Sequence, residues 1–256
     1  MTAFLQARSL TKRFGGLVAI DDVSFSLERG SMTAIIGPNG AGKSTLFNLI
    51  SGYDRPTSGR LFFDGAEITG LPMHRIARHG VARTFQTTSL FSHQTVLDNA
   101  ILGYRRHTGS GLADALLRTS RERREERESA ARAREALAFA GIADLADARA
   151  GAIPQEAQKR LAIAIAIASE PELLLLDEPV AGVTAEETAA HGELIRRIAA
   201  RGVTVCLVEH KMELVMGLAQ RVIVLHHGRK IAEGTPANVR DDPAVVEAYL
   251  GAPAGA

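Results

Sequence analysis

Hydrophobic positions along the chain fall into short blocks separated by polar, glycine-rich turns. Several blocks are β-branched or apolar and have the length and composition of strands: Met32–Ile36, Leu61–Phe63, Leu173–Leu176, Val203–Val208 and Val222–Leu225. Two of them, Leu173–Leu176 and, apart from Thr204, Val203–Val208, are continuously hydrophobic, as expected of strands covered on both faces. Helix-like segments alternate with many of the strands: Ser44–Ser51, Ala185–Arg201 and Lys211–Leu218. The pattern predicts an α/β fold.

The middle of the chain has a different pattern. From about Thr95 to Ala168 strand signals fade and alanine, arginine and glutamate dominate, which predicts a helical subdomain. Its charge run RERREERE (Arg121–Glu128) contains favourable i,i+4 pairs, Arg121 with Glu125 and Arg124 with Glu128. We interpret the run as a solvated helix face in preference to a dedicated binding patch. The segment LAIAIAIA (Leu161–Ala168) alternates like a strand, but half of it is alanine, so we predict helix.

Composition narrows the classes of function. The 256 residues are 46% hydrophobic, enough for a sizeable core, and a net charge of +1 offers no overall field for nucleic acid. The single cysteine, Cys206, excludes an internal disulfide and indicates a reducing compartment. The first residues lack the apolar region of a secretory signal. The most apolar stretch, Leu161–Leu176, is interrupted by Glu170, Pro171 and Glu172, so membrane association would come through a partner.

The strongest motif follows the first predicted buried strand. It has the eight-position pattern of a phosphate-binding loop, with an apolar strand before it and a helical segment after it. Its residues are Gly37, Pro38, Asn39, Gly40, Ala41, Gly42, Lys43, Ser44 and Thr45. Glycines let consecutive backbone N–H groups surround phosphate oxygens, Lys43 supplies a charge to the β- and γ-phosphates, and Ser44 ligates Mg²⁺. The alternative is a glycine-rich turn that has a similar sequence but binds no phosphate. It leaves the flanking strand and helix and the downstream acidic motif unexplained. We predict a nucleotide site.

A second motif, LLLLDEP, ends the strand at Leu173–Leu176 with the acidic pair Asp177 and Glu178. A buried strand of an open α/β sheet places such carboxylates at its carboxyl end, beside the phosphate loop. Asp177 would hold the Mg²⁺ shell, and Glu178 would orient and deprotonate the attacking water. A simple pair of capping carboxylates is the alternative, and it competes poorly once the phosphate loop is present.

Together with these motifs, five further stretches resemble the ATP-binding subunits of ABC transporters, and the likeness spans nearly the whole chain. Within that family the chain most resembles the larger ATPase subunit of branched-chain amino acid importers. The stretches are Phe14–Leu27, Ser51–Pro72, Ala82–Gln86, Val208–Leu225 and Gly228–Pro236. The resemblance implies one domain with a P-loop NTPase (RecA-like) core at about 1–91 and 170–235 and an antiparallel β subdomain. It also implies a helical subdomain at about 92–169 and a closing helix at about 236–251.

The resemblance implies roles for three more residues. Phe14 matches the aromatic region that stacks on adenine, with a plain core phenylalanine as the alternative. Gln86 matches the glutamine that touches Mg²⁺ or the attacking water and links the nucleotide to the membrane-facing subdomain. His210 matches the switch histidine that contacts the γ-phosphate. A lone histidine at a strand end is usually structural, so its role rests on the resemblance.

The implied function is ATP hydrolysis, with ATP and Mg²⁺, that energises an importer of branched-chain or other amino acids or related small solutes. The implied partners are a second ABC ATPase subunit, transmembrane permease subunits and, indirectly, a solute-binding protein, with no nucleic acid. Such a subunit lies in the cytoplasm, peripheral on the inner face of the cell membrane. One alternative is a DNA-repair or chromosome ATPase, but no long coiled coil follows the phosphate loop. The other is a nucleotide-gated module with little hydrolysis, against which Glu178 argues.

One stretch departs from the family pattern. The signature is usually Leu-Ser-Gly-Gly-Gln, or Leu-Pro-Tyr-Gly-Gln in the branched-chain subgroup. Here the matching residues are Ile153, Pro154, Gln155, Glu156 and Ala157. In the family this turn faces the γ-phosphate bound by the partner subunit. Two like unit charges 4 Å apart repel each other by about 4 kcal/mol at an effective dielectric constant of 20. Glu156 would therefore weaken the closure of the two subunits around ATP.

The hypothesis concerns the composite site, which this chain's signature turn forms together with the partner's phosphate loop. Glu156 would make ATP hydrolysis there slow, whereas the site at the chain's own phosphate loop stays competent. The alternative is that Glu156 points to solvent and changes little. Because a homodimer would contain two such impaired sites, the departure favours a hetero-pair. Thr184, which stands where the family has aspartate or asparagine, is a second departure in the loop between the sites.

Overall fold

The computed structural model describes residues 3–85, 90–109 and 119–250, and only the backbone of Leu250. In chain order the strands are β1 (Leu5–Phe14), β2 (Leu17–Leu27), β3 (Met32–Ile36), β4 (Ser58–Phe63), β5 (Ala66–Glu67), β6 (Val81–Arg83), β7 (Leu173–Asp177), β8 (Thr204–Val208), β9 (Arg221–His226) and β10 (Arg229–Gly234). The α-helices are α1 (Lys43–Ser51), α2 (Met73–Arg78), α3 (Val96–Tyr104), α4 (Ser120–Ala140), α5 (Gln155–Ala168), α6 (Ala185–Ala200), α7 (Met212–Leu218), α8 (Pro236–Arg240) and α9 (Pro243–Leu250). Short 3₁₀ turns follow α3 and α4, at Arg105–His107 and Ala143–Leu145.

The larger sheet has the order β10-β9-β3-β8-β7-β6, and every neighbouring pair except β9 with β10 is parallel. All residues of β3, β7 and β8 are buried, which explains why their sequences are apolar except for Thr33, Thr204 and the final Asp177. Each predicted strand lies in this sheet or in β4. The α/β prediction is confirmed.

The smaller sheet is antiparallel, with the order β2-β1-β4-β5. Leu5 of β1 pairs with Leu27 of β2 on one side and with Phe63 of β4 on the other. All three side chains are buried, in a core cluster that also contains Phe47 and Ile50 of α1. The predicted antiparallel subdomain is therefore present and packs beside the segment that carries the phosphate loop.

Helices α3, α4 and α5 pack on one another and form the predicted helical region. The ambiguous LAIAIAIA segment is helical, as predicted, and its small residues have a packing reason. A side chain at Gly103 of α3 would lie 2.1 Å from the carbonyl oxygen of Ile165, so the two helix backbones cross almost in contact. Alanine permits this approach while keeping helical propensity.

The charge run forms the largely exposed first half of α4, in keeping with its interpretation as a solvated face. Arg121 Nε contacts Glu125 Oε1 at 2.9 Å, which confirms one of the two expected pairs. The other expected pair, Arg124 with Glu128, does not form. Glu128 instead accepts a hydrogen bond from the hydroxyl of Tyr104 at 2.9 Å, because α3 brings a partly buried donor to it.

The closing segment differs from the single helix expected at about 236–251. It forms α8 and α9, separated at Asp241–Asp242. Pro243 has no N–H to continue a helix, and the carboxylate of Asp242 instead accepts from the backbone N–H of Ala244 at 2.9 Å. Residues 251–256, which as a chain end we expect to be frayed, lie outside the described residues. Across 3–85, 90–109 and 119–250, no helix combines the length and apolar character needed to cross a bilayer.

Thr184 has a structural role that can be measured. Its hydroxyl accepts from the N–H of Glu187 at 3.3 Å, and the Glu187 carboxylate accepts from the N–H of Thr184 at 2.7 Å, which makes a capping box at the start of α6. We expect Thr184→Ala to lower the free energy of unfolding by about 1 kcal/mol, because it leaves N–H groups of α6 uncapped. Thr184→Asn keeps a capping oxygen and is the control. Equal urea midpoints for the two variants would contradict this role.

Candidate nucleotide site

The phosphate loop connects buried β3 to α1, and its backbone is tightly enclosed. Gly37 and Gly42 have φ angles of 150° and 102°, which disfavour other residues. A Cβ at Gly37 would lie 2.1 Å from the carbonyl oxygen of Leu225, and one at Gly42 would lie 2.5 Å from that of Ala19. Both glycines are therefore required by the neighbouring strands as well as by the turn.

The first turn of α1 has no side-chain cap, because its N-cap residue is Gly42. The N–H groups of that turn have no partner within the helix, and together with the helix dipole they favour an anion. The loop is also held from the side, since the N–H of Gly228 donates to the carbonyl of Ala41 at 3.1 Å. The uncapped N–H groups at the start of α1 are therefore held in place to donate to an anion.

Lys43 is folded into the loop that it follows. Its ammonium donates to the carbonyl oxygens of Gly37 at 2.7 Å and Pro38 at 2.9 Å, and the residue is buried. Burial lowers the pKa of Lys43, and the charges of Glu178 and Asp177 oppose that shift. The cation thus lies where the sequence motif predicts that phosphates bind.

Asp177, at the end of β7, forms a buried ion pair with Arg83, at the end of β6. Arg83 Nη2 and Asp177 Oδ2 are 2.8 Å apart, and the two side chains are 6% and 4% exposed. The other guanidinium nitrogen, Nη1, donates to Asn48 and Ser51 of α1. Asp177 Oδ1 is buried and accepts no hydrogen bond. One carboxylate oxygen is thus fixed while the other is available as a ligand.

Glu178 and His210 meet at the carboxyl ends of β7 and β8. His210 Nε2 lies 2.9 Å from Glu178 Oε1. Glu178 has a φ of 47°, and its N–H donates to the carbonyl of Val208, so the turn after β7 is tied to the neighbouring strand. The structure therefore brings together the residues proposed as general base and switch histidine, which are 32 positions apart in the sequence.

Three buried charged residues of the site escaped the sequence reasoning. Glu209 accepts from the N–H groups of Val180 and His210, both at 3.1 Å, and burial raises the pKa of its carboxyl. Lys159 of α5 lines a small cleft with Asp177 and Glu178, and burial lowers its pKa. The sequence could have pointed to Glu209, because this residue stands between a buried strand and His210. Arg83 was also missed, although a charge inside the short strand before Gln86 pointed to it.

The remaining predicted nucleotide residues fall in different places. Phe14, at the end of β1, is 45% exposed, with the ammonium of Lys12 4.6 Å from its ring centre. The alternative of a core phenylalanine is therefore wrong. Gln86 lies outside the described residues.

The signature residues surround the start of α5. Ile153 and Ala157 are buried, Pro154 is the N-cap residue, and a Cβ at Gly182 would lie 3.1 Å from Nε2 of Gln155. Glu156 is only 21% exposed and forms an ion pair with Arg160, one turn further along α5. The alternative in which Glu156 points to solvent is therefore wrong. Its carboxylate is also not an isolated charge.

Comparisons with known proteins agree with this geometry. A family model described as ABC transporter matches residues 20–181, and one described as branched-chain amino acid ATP-binding cassette transporter matches residues 229–255. The chain belongs to the ABC transporter ATPase family. It is 41% identical to the high-affinity branched-chain amino acid transport ATP-binding protein BraF of Pseudomonas aeruginosa, over 96% of this chain and 97% of that protein. It is 40% identical, with the same coverage, to the corresponding protein LivG of Escherichia coli K12.

Solved ABC cassettes have the same fold as this ABC ATPase. A nucleotide-free ATP-binding cassette from an ABC transporter superposes with a TM-score of 0.86 at 32% identity, covering 98% of this chain and all of that one. The ADP conformation of an ATP-binding cassette of an ABC transporter gives 0.84 at 32% identity, with the same coverage. These likenesses confirm the P-loop NTPase fold with antiparallel and helical parts.

The buried pair between Arg83 and Asp177 supports a stability prediction. We expect Arg83→Met to lower the free energy of unfolding by about 3–5 kcal/mol, because it leaves an unpaired carboxylate in the protein interior. The double variant Arg83→Met/Asp177→Asn removes that charge and should recover part of the loss. Urea unfolding of both variants measures the difference. A double variant no more stable than the single one would show that Asp177 carries no uncompensated charge.

Proposed function

We propose that the chain binds Mg-ATP in the loop at 37–45 and hydrolyses it to energise import of branched-chain amino acids or related small solutes. The observation that carries the proposal is the 2.9 Å contact of Glu178 with His210 at the sheet edge where Lys43 lies in the phosphate loop. The names of the relatives, which are branched-chain amino acid transport ATP-binding proteins, support the solute class.

Two residues are suited to Mg²⁺. Asp177 offers Oδ1, which is buried and has no hydrogen-bond partner, and Ser44 offers its hydroxyl from the first turn of α1. Mg²⁺ at nucleotide sites is usually held by one or two protein oxygens, substrate phosphates and water. The ion would neutralise charge on the β- and γ-phosphate oxygens.

The chemistry assigned to the protein is proton transfer and positioning. Glu178 takes a proton from the water that attacks the γ-phosphate, and His210 holds the Glu178 carboxylate in place and donates toward the γ-phosphate. Glu209 fixes the backbone on both sides, because it accepts from Val180 two residues after Glu178 and from His210 itself. Gln86 is proposed to contact the Mg²⁺ or the water, and Phe14 to stack on adenine.

Glu178→Gln tests hydrolysis separately from binding. In the assembled complex we expect the ATPase rate to fall by at least about 10²-fold, because the amide cannot accept the proton. Binding of ATP should persist, since the phosphate loop is unchanged. Glu186→Gln, an exposed acid in the first turn of α6, is the matched control. A Glu178→Gln complex that hydrolyses ATP at the wild-type rate would exclude Glu178 as the base.

The chain is proposed to pair with a different ABC ATPase subunit, so that each phosphate loop faces the partner's signature turn. The unusual signature supports a hetero-pair, because a homodimer would place a Glu156 carboxylate that needs a compensating cation at both composite sites, and a hetero-pair at only one. The assembly would lie on the inner face of the membrane, with a solute-binding protein meeting only the permease. No nucleic acid takes part.

A largely apolar groove is the proposed binding site for a segment of the permease. It lies between α2 and β6 of the core and α3 and α5 of the helical region. Three of its apolar side chains are exposed by about two-fifths: Met73, Phe85 and Leu102. A subunit that energises transport must contact a membrane partner when it does not itself span the bilayer, and this groove also contacts Arg83, the partner of Asp177. It therefore connects the membrane side with the nucleotide site.

A charge placed in the groove should separate docking from nucleotide binding. Leu102→Glu is expected to reduce co-purification of the permease with the tagged chain at least about tenfold, because the carboxylate would be desolvated on docking. ATP binding by the isolated chain should not change. Val246→Glu, on α9 and equally exposed, introduces the same charge away from the groove. Equal permease recovery with the two variants would argue against this binding site.

A further inference from the structure

The carboxylate of Glu156 is compensated within its own helix. It forms an ion pair with Arg160 Nε, and both side chains are about one-fifth exposed. Arg160 Nη1 also donates to the carbonyl of Ala140 at 3.1 Å, at the end of α4. The next residue, Gly141, has a φ of 77°, and a Cβ there would lie 3.0 Å from Arg160 Nη1. Arg160 is thus fixed between the end of α4 and the first turn of α5.

A buried histidine contacts the same carboxylate from α6. His191 is fully buried, its Nδ1 lies 3.0 Å from the carbonyl oxygen of Glu187, and Glu156 Oε1 is 3.8 Å away. Nε2 of His191 is buried and has no hydrogen-bond partner. Burial lowers the pKa of His191; the hydrogen bond to the Glu187 carbonyl and the charge of Glu156 oppose that shift, and the charges of Arg160 and Lys159 add to it. A neutral His191 leaves Arg160 as the cation that balances Glu156.

We propose that Arg160 is a positioning and charge-compensating residue that lets a signature turn containing a carboxylate face the partner's triphosphate. This inference rests on the proposed function, in which the first turn of α5 closes on ATP bound by the partner subunit. Arg160 draws the Glu156 side chain along α5, away from the N–H groups at the helix start. No side chain caps those groups. They remain able to bind an anion, while the negative charge beside them is balanced.

The inference changes the expectation for the composite site. A signature turn with an unpaired Glu156 would repel the γ-phosphate, which is the basis of the slow-site hypothesis. With Arg160 in place, the local pair carries no net charge and the turn acts through its backbone. The composite site is therefore competent, and its competence depends on Arg160.

A charge-rescue experiment tests this in the whole complex, purified from native membranes through a tag on this chain. Arg160→Gln leaves Glu156 unbalanced, and we expect the KM for ATP to rise by about tenfold, with the defect shrinking as ionic strength increases. Glu156→Gln/Arg160→Gln removes the charge as well, and the KM should return to within about threefold of wild type. Arg160→Lys, which keeps the charge, should resemble wild type.

The rescue distinguishes charge balance from a merely structural role of Arg160. If Arg160 acted only by holding the Ala140 carbonyl, Glu156→Gln could not restore function. A double variant as impaired as Arg160→Gln, or an Arg160→Gln complex with wild-type KM, would overturn the proposal. Arg196→Gln, which breaks an exposed i,i+3 pair with Glu193 on α6, is the matched control and should change nothing. Wild-type complex that lacked ATPase activity would instead refute the proposed function itself.

Discussion

The arrangement of the site follows from the complete burial of three adjacent parallel strands, β3, β8 and β7. Because both faces of these strands are covered, charged residues are excluded from them until the strands end. Parallel strands end at the same edge of a sheet, so the polar residues that follow them meet there. Gly37, Asp177 and Glu209 each stand at such an end. The covered sheet thus concentrates the chemistry in one crevice.

The crevice brings the carboxylates of Asp177, Glu178 and Glu209 close together, and the structure compensates the charge of each one differently. Asp177 has a guanidinium on one oxygen, which leaves the other oxygen available. Glu209 accepts backbone N–H groups, and burial raises its pKa, so its charge is disfavoured. Glu178 contacts His210, and Glu156 contacts Arg160. Removal of one partner would therefore act through the charge that is left behind.

The sequence predicted what is encoded locally and failed where the partner is distant. The phosphate loop, the strand ending in Asp177 and the helix at 161–168 depend on short patterns, and each was found. The charge of Arg83 in a short strand was visible, but its ion pair could not be predicted, because its partner Asp177 is 94 positions away and no short pattern connects them. The pair of Arg124 with Glu128 was expected from spacing alone, but Tyr104 from another helix competes for the carboxylate. The pairing of Glu156 with Arg160 was visible as an i,i+4 spacing, yet only the structure shows that it forms.

A short loop of the same chain connects Glu178 with the signature turn at the start of α5. Two residues after Glu178, the N–H of Val180 is held by Glu209, and two residues further Gly182 lies against the side chain of Gln155 at the start of α5. Gly182 has a φ of 76°, and a Cβ there would lie 3.1 Å from Nε2 of Gln155, so the connection is short and closely packed. A displacement of Glu178 when ATP is cleaved would therefore move the loop that touches the signature turn. In the proposed pair that turn would face the other nucleotide, which would give each site a direct mechanical route to its neighbour.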